Sequence, residues 1–137
     1  MRAGWLAAVG LAALSGGCAL TNGLLGVCDG VTFTANVNMT IPDNDDTGIT
    51  STLAPSATGR PDGIGIRANI EHSFESDLSI RVFHGGITVT LDDKDDHGPF
   101  HEWDAVDVSG PWMINVADTQ TRDIGFWNDW ELIICGA

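Results

Sequence analysis

Aspartates recur at alternate positions in Asp93-Lys94-Asp95-Asp96-His97-Gly98, and Asp104 follows eleven residues after Asp93. Oxygen ligands at the first, third and fifth positions, a glycine at the sixth and an acid at the twelfth describe a calcium loop. His97 holds the fifth position, where a hard cation prefers oxygen, and Asp104 replaces the usual glutamate. Asp43-Asn44-Asp45-Asp46-Thr47-Gly48 repeats the opening of that pattern without the closing acid. Calcium takes six to eight oxygens, so two partial loops brought together would complete one site. One calcium ion is therefore the expected cofactor, with Asp93, Asp95, Asp104, Asp43 and Asp45 as candidate ligands. The alternative is a solvated acidic face. Zinc at His97 and His101 is disfavoured, because Gly98-Pro99 between them breaks any helix that would align the rings.

Covalent catalysis has less to work with. G-x-S-x-G is absent, and His72 has no nucleophile motif beside it, so it reads as a structural histidine that bonds across a strand. Trp112 and Trp130 fall in phase with apolar neighbours and are expected in the core. Trp103 and Trp127 fall outside those phases and are the candidate binding residues, since exposed tryptophans make interface hot spots. Loop tryptophans also plug the ends of sandwiches, which is the competing reading for both.

Three cysteines and the leader bear on compartment. Met1-Arg2, an apolar run from Ala3 to Leu14 and the small residues Ser15-Gly16-Gly17 describe a secretory signal peptide over residues 1–17. The run is too short for a permanent membrane anchor, which needs roughly 20 apolar residues. Leu14-Ser15-Gly16-Gly17-Cys18 resembles a bacterial lipobox, with the leucine four residues before the cysteine instead of three, so Cys18 is a candidate for lipidation. Cys28 and Cys135 then remain as an even pair, expected to form a disulfide in an oxidising compartment. The expected location is outside the cytoplasm, secreted or held at a bacterial envelope through a lipid on Cys18.

Formal charge is −13, and losing the leader with its one cation, Arg2, would make it −14. Phosphate backbones and anionic bilayers repel such a chain, which sets nucleic acid aside and leaves the lipid anchor as the only membrane contact.

The elements that must position these residues are strands. From Val31 to Ile41 apolar and polar residues alternate without a break, a period-two signal of a half-buried strand. The signal returns at Ile64–Ile70, Leu78–Val82, Ile87–Leu91, Trp112–Val116 and Trp130–Ile134. Turn formers separate the runs at Pro42–Gly48, Gly59–Gly63, Gly85-Gly86 and Ser109–Pro111. Such a chain is all-β, with apolar strand faces stacked in an antiparallel sandwich. Residues 18–29 read as a short tether and residues 30–137 as one domain.

Four blocks within the domain then identify a resemblance. They are Ile41-Pro42-Asp43-Asn44 with Gly48-Ile49-Thr50-Ser51; Ile70-Glu71-His72-Ser73-Phe74 through Asp77-Leu78-Ser79-Ile80; Gly110-Pro111-Trp112-Met113-Ile114-Asn115-Val116-Ala117-Asp118; and Asp123-Ile124-Gly125-Phe126-Trp127 through Trp130-Glu131-Leu132. In that order they resemble the P domain, or P/Homo B domain, of kexin- and furin-type proprotein convertases and bacterial subtilisin-like proteases. The family's S-P-x-G-T turn is replaced by Phe83-His84-Gly85-Gly86-Ile87-Thr88, so this turn is expected to be built differently.

The resemblance implies a jelly-roll-like, galactose-binding-domain-like sandwich with no catalytic role, since the Asp, His and Ser of the protease lie on a separate domain. It implies a module that packs on and stabilises a subtilisin-like protease, or that binds another surface protein. It also adds support for calcium, which some bacterial P domains bind. The alternative from another class is a carbohydrate-binding or adhesive jelly roll, with a glycan as partner and Trp103 and Trp127 as its contacts.

Overall fold

Alternating runs become strands because period-two side chains sort apolar groups to one face. The computed structural model describes residue 28, residues 30–122 and residues 124–136. The segment expected to be a signal peptide, Cys18 and all of the expected tether except Cys28 lie outside the described residues.

The strands are β1 (Gly30–Ile41), β2 (Asp45–Leu53), β3 (Gly63–His72), β4 (Leu78–His84), β5 (Ile87–Leu91), β6 (Trp112–Asp118) and β7 (Gly125–Cys135). The described residues contain no α-helix, only a 3-10 turn at Glu75–Asp77. Two antiparallel sheets result, β1-β7-β3 and β2-β6-β4-β5, packed face to face as a jelly-roll-like sandwich. The chain passes from one sheet to the other at each of its first three connections, so neither layer is a contiguous stretch of sequence.

β2 has no alternating apolar run to announce it, because its inward position 51 is a serine. Ser51 is tolerated there because its Oγ accepts a hydrogen bond from the buried Trp130 indole at 2.9 Å. Gly48 sits at the irregular start of this strand with φ +65, and a Cβ there would collide with the Val116 carbonyl. β4 and β5 are joined by Gly85 and Gly86, with φ values of +59 and +80. Two successive positive φ angles match the right-handed twist of a two-residue hairpin.

The core lies between the sheets. Trp103, Trp112, Trp127 and Trp130 are all fully buried, packed among Ile64, Ile66 and their neighbours. His72 and Asp118 tie the sheets together at the end where β1 and β3 finish, called here the distal end. At the opposite, proximal end, Cys28 and Cys135 form the disulfide expected from the sequence, with Cα atoms 5.9 Å apart and a sequence separation of 107.

Candidate functional site

The two acidic loops sit at the same distal end but at opposite edges of the four-stranded sheet. Asp45 opens β2, and Asp93 and Asp95 follow β5, with β6 and β4 between them. Three inter-strand spacings make that separation roughly 14 Å. Nor do residues 93–104 close into one loop. After Asp96 the chain runs down the sandwich edge, where His97 and Phe100 carbonyls accept from Ile66 and Ile64 of β3. Asp104 thus arrives at the proximal end, with the adjacent Trp103 bonded to the His84 carbonyl at the end of β4.

Each carboxylate is instead paired locally. Asp93 accepts the Asp95 N–H at 2.8 Å, Asp45 accepts the Thr47 N–H at 2.9 Å, and Asp43 accepts the Arg122 N–H at 3.1 Å. Lys94 bridges Asp95 and Glu75 at 3.5 Å each, and Asp104 pairs with His101 at 2.9 Å. Among the described residues, no three His, Cys, Asp or Glu side chains converge as metal ligands.

His72 is the structural residue its sequence context indicated. Its Nε2 lies 2.8 Å from Asp118 Oδ2, both side chains are inaccessible to solvent, and its Nδ1 accepts the Phe74 N–H at 3.0 Å. An Nδ1 that accepts leaves the Nε2 proton to be donated to Asp118, so both nitrogens are engaged. The other Asp118 oxygen accepts the Gln120 N–H. Gly125 lies directly against the imidazole, and a Cβ there would press on the ring. The pair joins β3 of one sheet to β6 of the other.

His84 performs a similar task at the proximal end. Its nitrogens each lie 2.8 Å from a carbonyl oxygen, those of Pro111 and Asp107, and its ring stacks on Trp112 at 3.9 Å. The Asp107 carboxylate is held below its ordinary range, first by hydrogen bonds from the Ser109 side chain and backbone, then by the Gly59 N–H and the nearby His84. Burial opposes this shift only in part. These contacts pin the long β5–β6 connection to the sheet.

Of the two readings open for Trp103 and Trp127, exposed contact or plug of the sandwich, the structure is against exposure: both are fully buried. Trp127 was out of phase with Trp130 because a bulge intervenes. Asn69 and Ile70 of β3 face Asp129 and Trp127 of β7, leaving Asn128 as an extra residue. One inserted residue flips the phase and turns Trp127 inward beside Trp130. Trp103 plugs the proximal end, its indole edge-on to Trp112 at 4.9 Å and donating to the His84 carbonyl. Neither indole presents a face to a sugar ring.

A surface missed in the sequence lies on the outer side of the four-stranded sheet. Cross-strand register aligns Thr50, Asn115, Arg81 and Thr90 in one row, and Thr52, Met113, Phe83 and Thr88 in the next. These two rows contain no carboxylate in a chain with 19 acids. The outer side of the other sheet carries Glu71, Asp129 and Glu131, the last paired with Arg67 at 3.2 Å. Arg81 lies over the Phe83 ring at 5.7 Å and gives one hydrogen bond, 3.3 Å to Asn115 Oδ1. Asn115 in turn donates to the Thr47 carbonyl and Thr50 Oγ1. Beside the second row a hollow of about 330 Å³ is lined by Phe83, Ile87, Pro111, Met113 and the Gly85-Gly86 turn. The signal was legible in principle: the polar phase of these strands is Thr, Ser, Asn and Arg. Only the register shows that those positions adjoin.

No family model matches the chain, and no curated protein matches its sequence. Solved structures do match its fold. The serine protease of Aeromonas sobria in complex with its chaperone superposes with a TM-score of 0.62 at 12% identity, over 79% of this chain and 27% of that one. The same protease in a second structure gives 0.60 at 12% identity, over 76% and 26%. The matched part of the chain spans about a quarter of the length of those proteins. At this identity the match establishes the architecture: the chain has the fold of a portion of a bacterial serine protease.

Proposed function

We propose that the chain is an exported, non-catalytic module of the P-domain type that associates with a subtilisin-like serine protease or another surface protein. One observation carries this reading: most of the chain superposes on a quarter of the Aeromonas sobria serine protease, a segment too small to be that whole enzyme. The site geometry supports it. His72 and His84 have both nitrogens engaged in holding the fold, which leaves neither ring to activate a nucleophile. Sequence supports export through the leader at residues 1–17, with Cys18 as the residue a lipid would modify.

Two measurements test the reading together. Purified protein is expected to leave a diverse peptide library uncleaved, and to raise the melting temperature of a cognate subtilisin-like protease on mixing. Specific turnover lost on substituting a Ser or His of this chain would refute the non-catalytic part. A panel of surface and secreted proteases that all fail to bind would refute the accessory part. The calcium proposal narrows accordingly. Each acidic loop would have to hold the ion alone, with water completing its oxygens, and a melting temperature raised by calcium and lowered by chelator would support it.

A further inference from the structure

We propose that the outer side of the four-stranded sheet docks an extended protein segment presenting an apolar side chain and a carboxylate two positions apart. The apolar side chain enters the hollow beside Phe83 and Met113, and the carboxylate seats on Arg81. Charge is the first ground. In a chain of net charge −13, this side keeps two adjoining rows free of acids and places one guanidinium among them. Surfaces depleted of acids and enriched in Met, aromatic residues and Arg are the composition of interface centres.

The second ground is what Arg81 lacks. Its Nε has no partner among the described residues and is shielded from solvent, and the guanidinium makes a single long bond to Asn115. A side chain with five donors, held against an aromatic ring in a row without carboxylates, uses a terminal nitrogen on Asn115 and has room at its terminal nitrogens for further acceptors. A carboxylate supplies them at the terminal nitrogens, and guanidinium–carboxylate pairing is the charge-assisted bond best matched to that fork.

Spacing is the third. Arg81 and Phe83 are successive outward residues of β4, roughly 6.7 Å apart, which is also the repeat between alternate residues of any extended chain. A segment lying along β4 would therefore reach the hollow and Arg81 with side chains two apart. Met113, 40% exposed, supplies an adaptable wall for the apolar group. A second copy of this acidic chain is the poorer occupant, because the long-range repulsion between two such molecules opposes their approach.

The inference rests on the chain being a protein-binding module, though not on the partner being a protease. The test titrates isotopically labelled full-length protein with the peptide acetyl-Thr-Leu-Thr-Glu-Thr-Leu-Thr-amide, which offers the spacing in both directions, and with its Glu→Gln control. Expected are amide shifts clustered at Arg81, Phe83, Thr88 and Met113, weakened by salt. Affinity should fall about tenfold or more for the Gln peptide. Arg81→Gln should lose a similar factor while keeping the wild-type melting temperature, and Arg81→Lys should lose less. Equal binding of both peptides, or shifts mapping to the acidic loops or to β1, overturns the proposal. Should Arg81→Gln fail to fold, the two peptides still decide. Sedimentation showing a dimer that Met113→Asp dissociates would also overturn it, by giving the surface to a second copy. A failed titration beside an intact protease complex removes this docking surface alone. A positive titration without protease capture removes only the protease.

Discussion

Cutting the link between His72 and Asp118 should cost this fold more than any other single polar contact. Both side chains are fully buried, 2.8 Å apart, and each belongs to a different sheet. His72→Ala removes the donor to a buried carboxylate, a hydrogen bond worth about 1.5–3 kcal/mol when one partner is charged. It also removes the acceptor of the Phe74 N–H and leaves an imidazole-sized void against Gly125, for a further 1–2 kcal/mol or so. The sum is about 2.5–5 kcal/mol, a large share of the stability of a domain this size. Asp118→Asn should cost less, about 1–3 kcal/mol. Its carbonyl can still accept from His72, but its amide then faces the Gln120 N–H and leaves that donor unmatched. Urea unfolding of the two variants and the double variant measures both costs and their coupling, which should exceed about 1 kcal/mol for groups in direct contact. A loss below about 1 kcal/mol for His72→Ala, or additive effects in the double variant, would refute the assignment of this pair as the tie between the sheets.

Three further outcomes follow from the same geometry. Replacing Cys28 and Cys135 by serine should destabilise the protein by about 4–5 kcal/mol on the loop-entropy model, given the 107-residue separation; denaturation of the intact and disulfide-free proteins reads the difference. Trp103→Ala should cost about 3–5 kcal/mol by emptying the proximal plug and removing the indole hydrogen bond to the His84 carbonyl. A variant of unchanged stability that loses glycan binding would instead return Trp103 to the surface. Asp107 has its carboxyl lowered in the folded state below its ordinary 3.8, so it contributes stability above that value and withdraws it as pH falls through the lower folded value. Asp107→Asn should therefore flatten the acid limb of the stability profile below about pH 4, and an unchanged limb would count against the Ser109 and Gly59 bonds.

Much of this architecture could be read from residue order. Alternation marked β1, β3, β4, β5, β6 and β7, because a two-residue period has only one way to place apolar side chains on one side of a strand. The Gly85-Gly86 pair announced its hairpin for a similarly local reason, since few other residues accept two positive φ angles in succession. The pairing of Cys28 with Cys135 followed from counting. β2 escaped because Ser51 breaks its pattern, and the Trp130 indole that satisfies that serine is 79 residues away.

The site depended on longer-range facts. Acidic loops that look alike in sequence end on opposite edges of one sheet, and strand order, which local propensity does not encode, sets their distance. Trp127 faces the core because β7 carries one extra residue against β3, a register shift visible only when both strands are in place. Composition determined an acidic chain, and two-residue alternation an all-β one. Tertiary pairing alone decided which carboxylates stay apart, which tryptophans leave the surface, and that Arg81 stands in a cross-strand row that holds no acid.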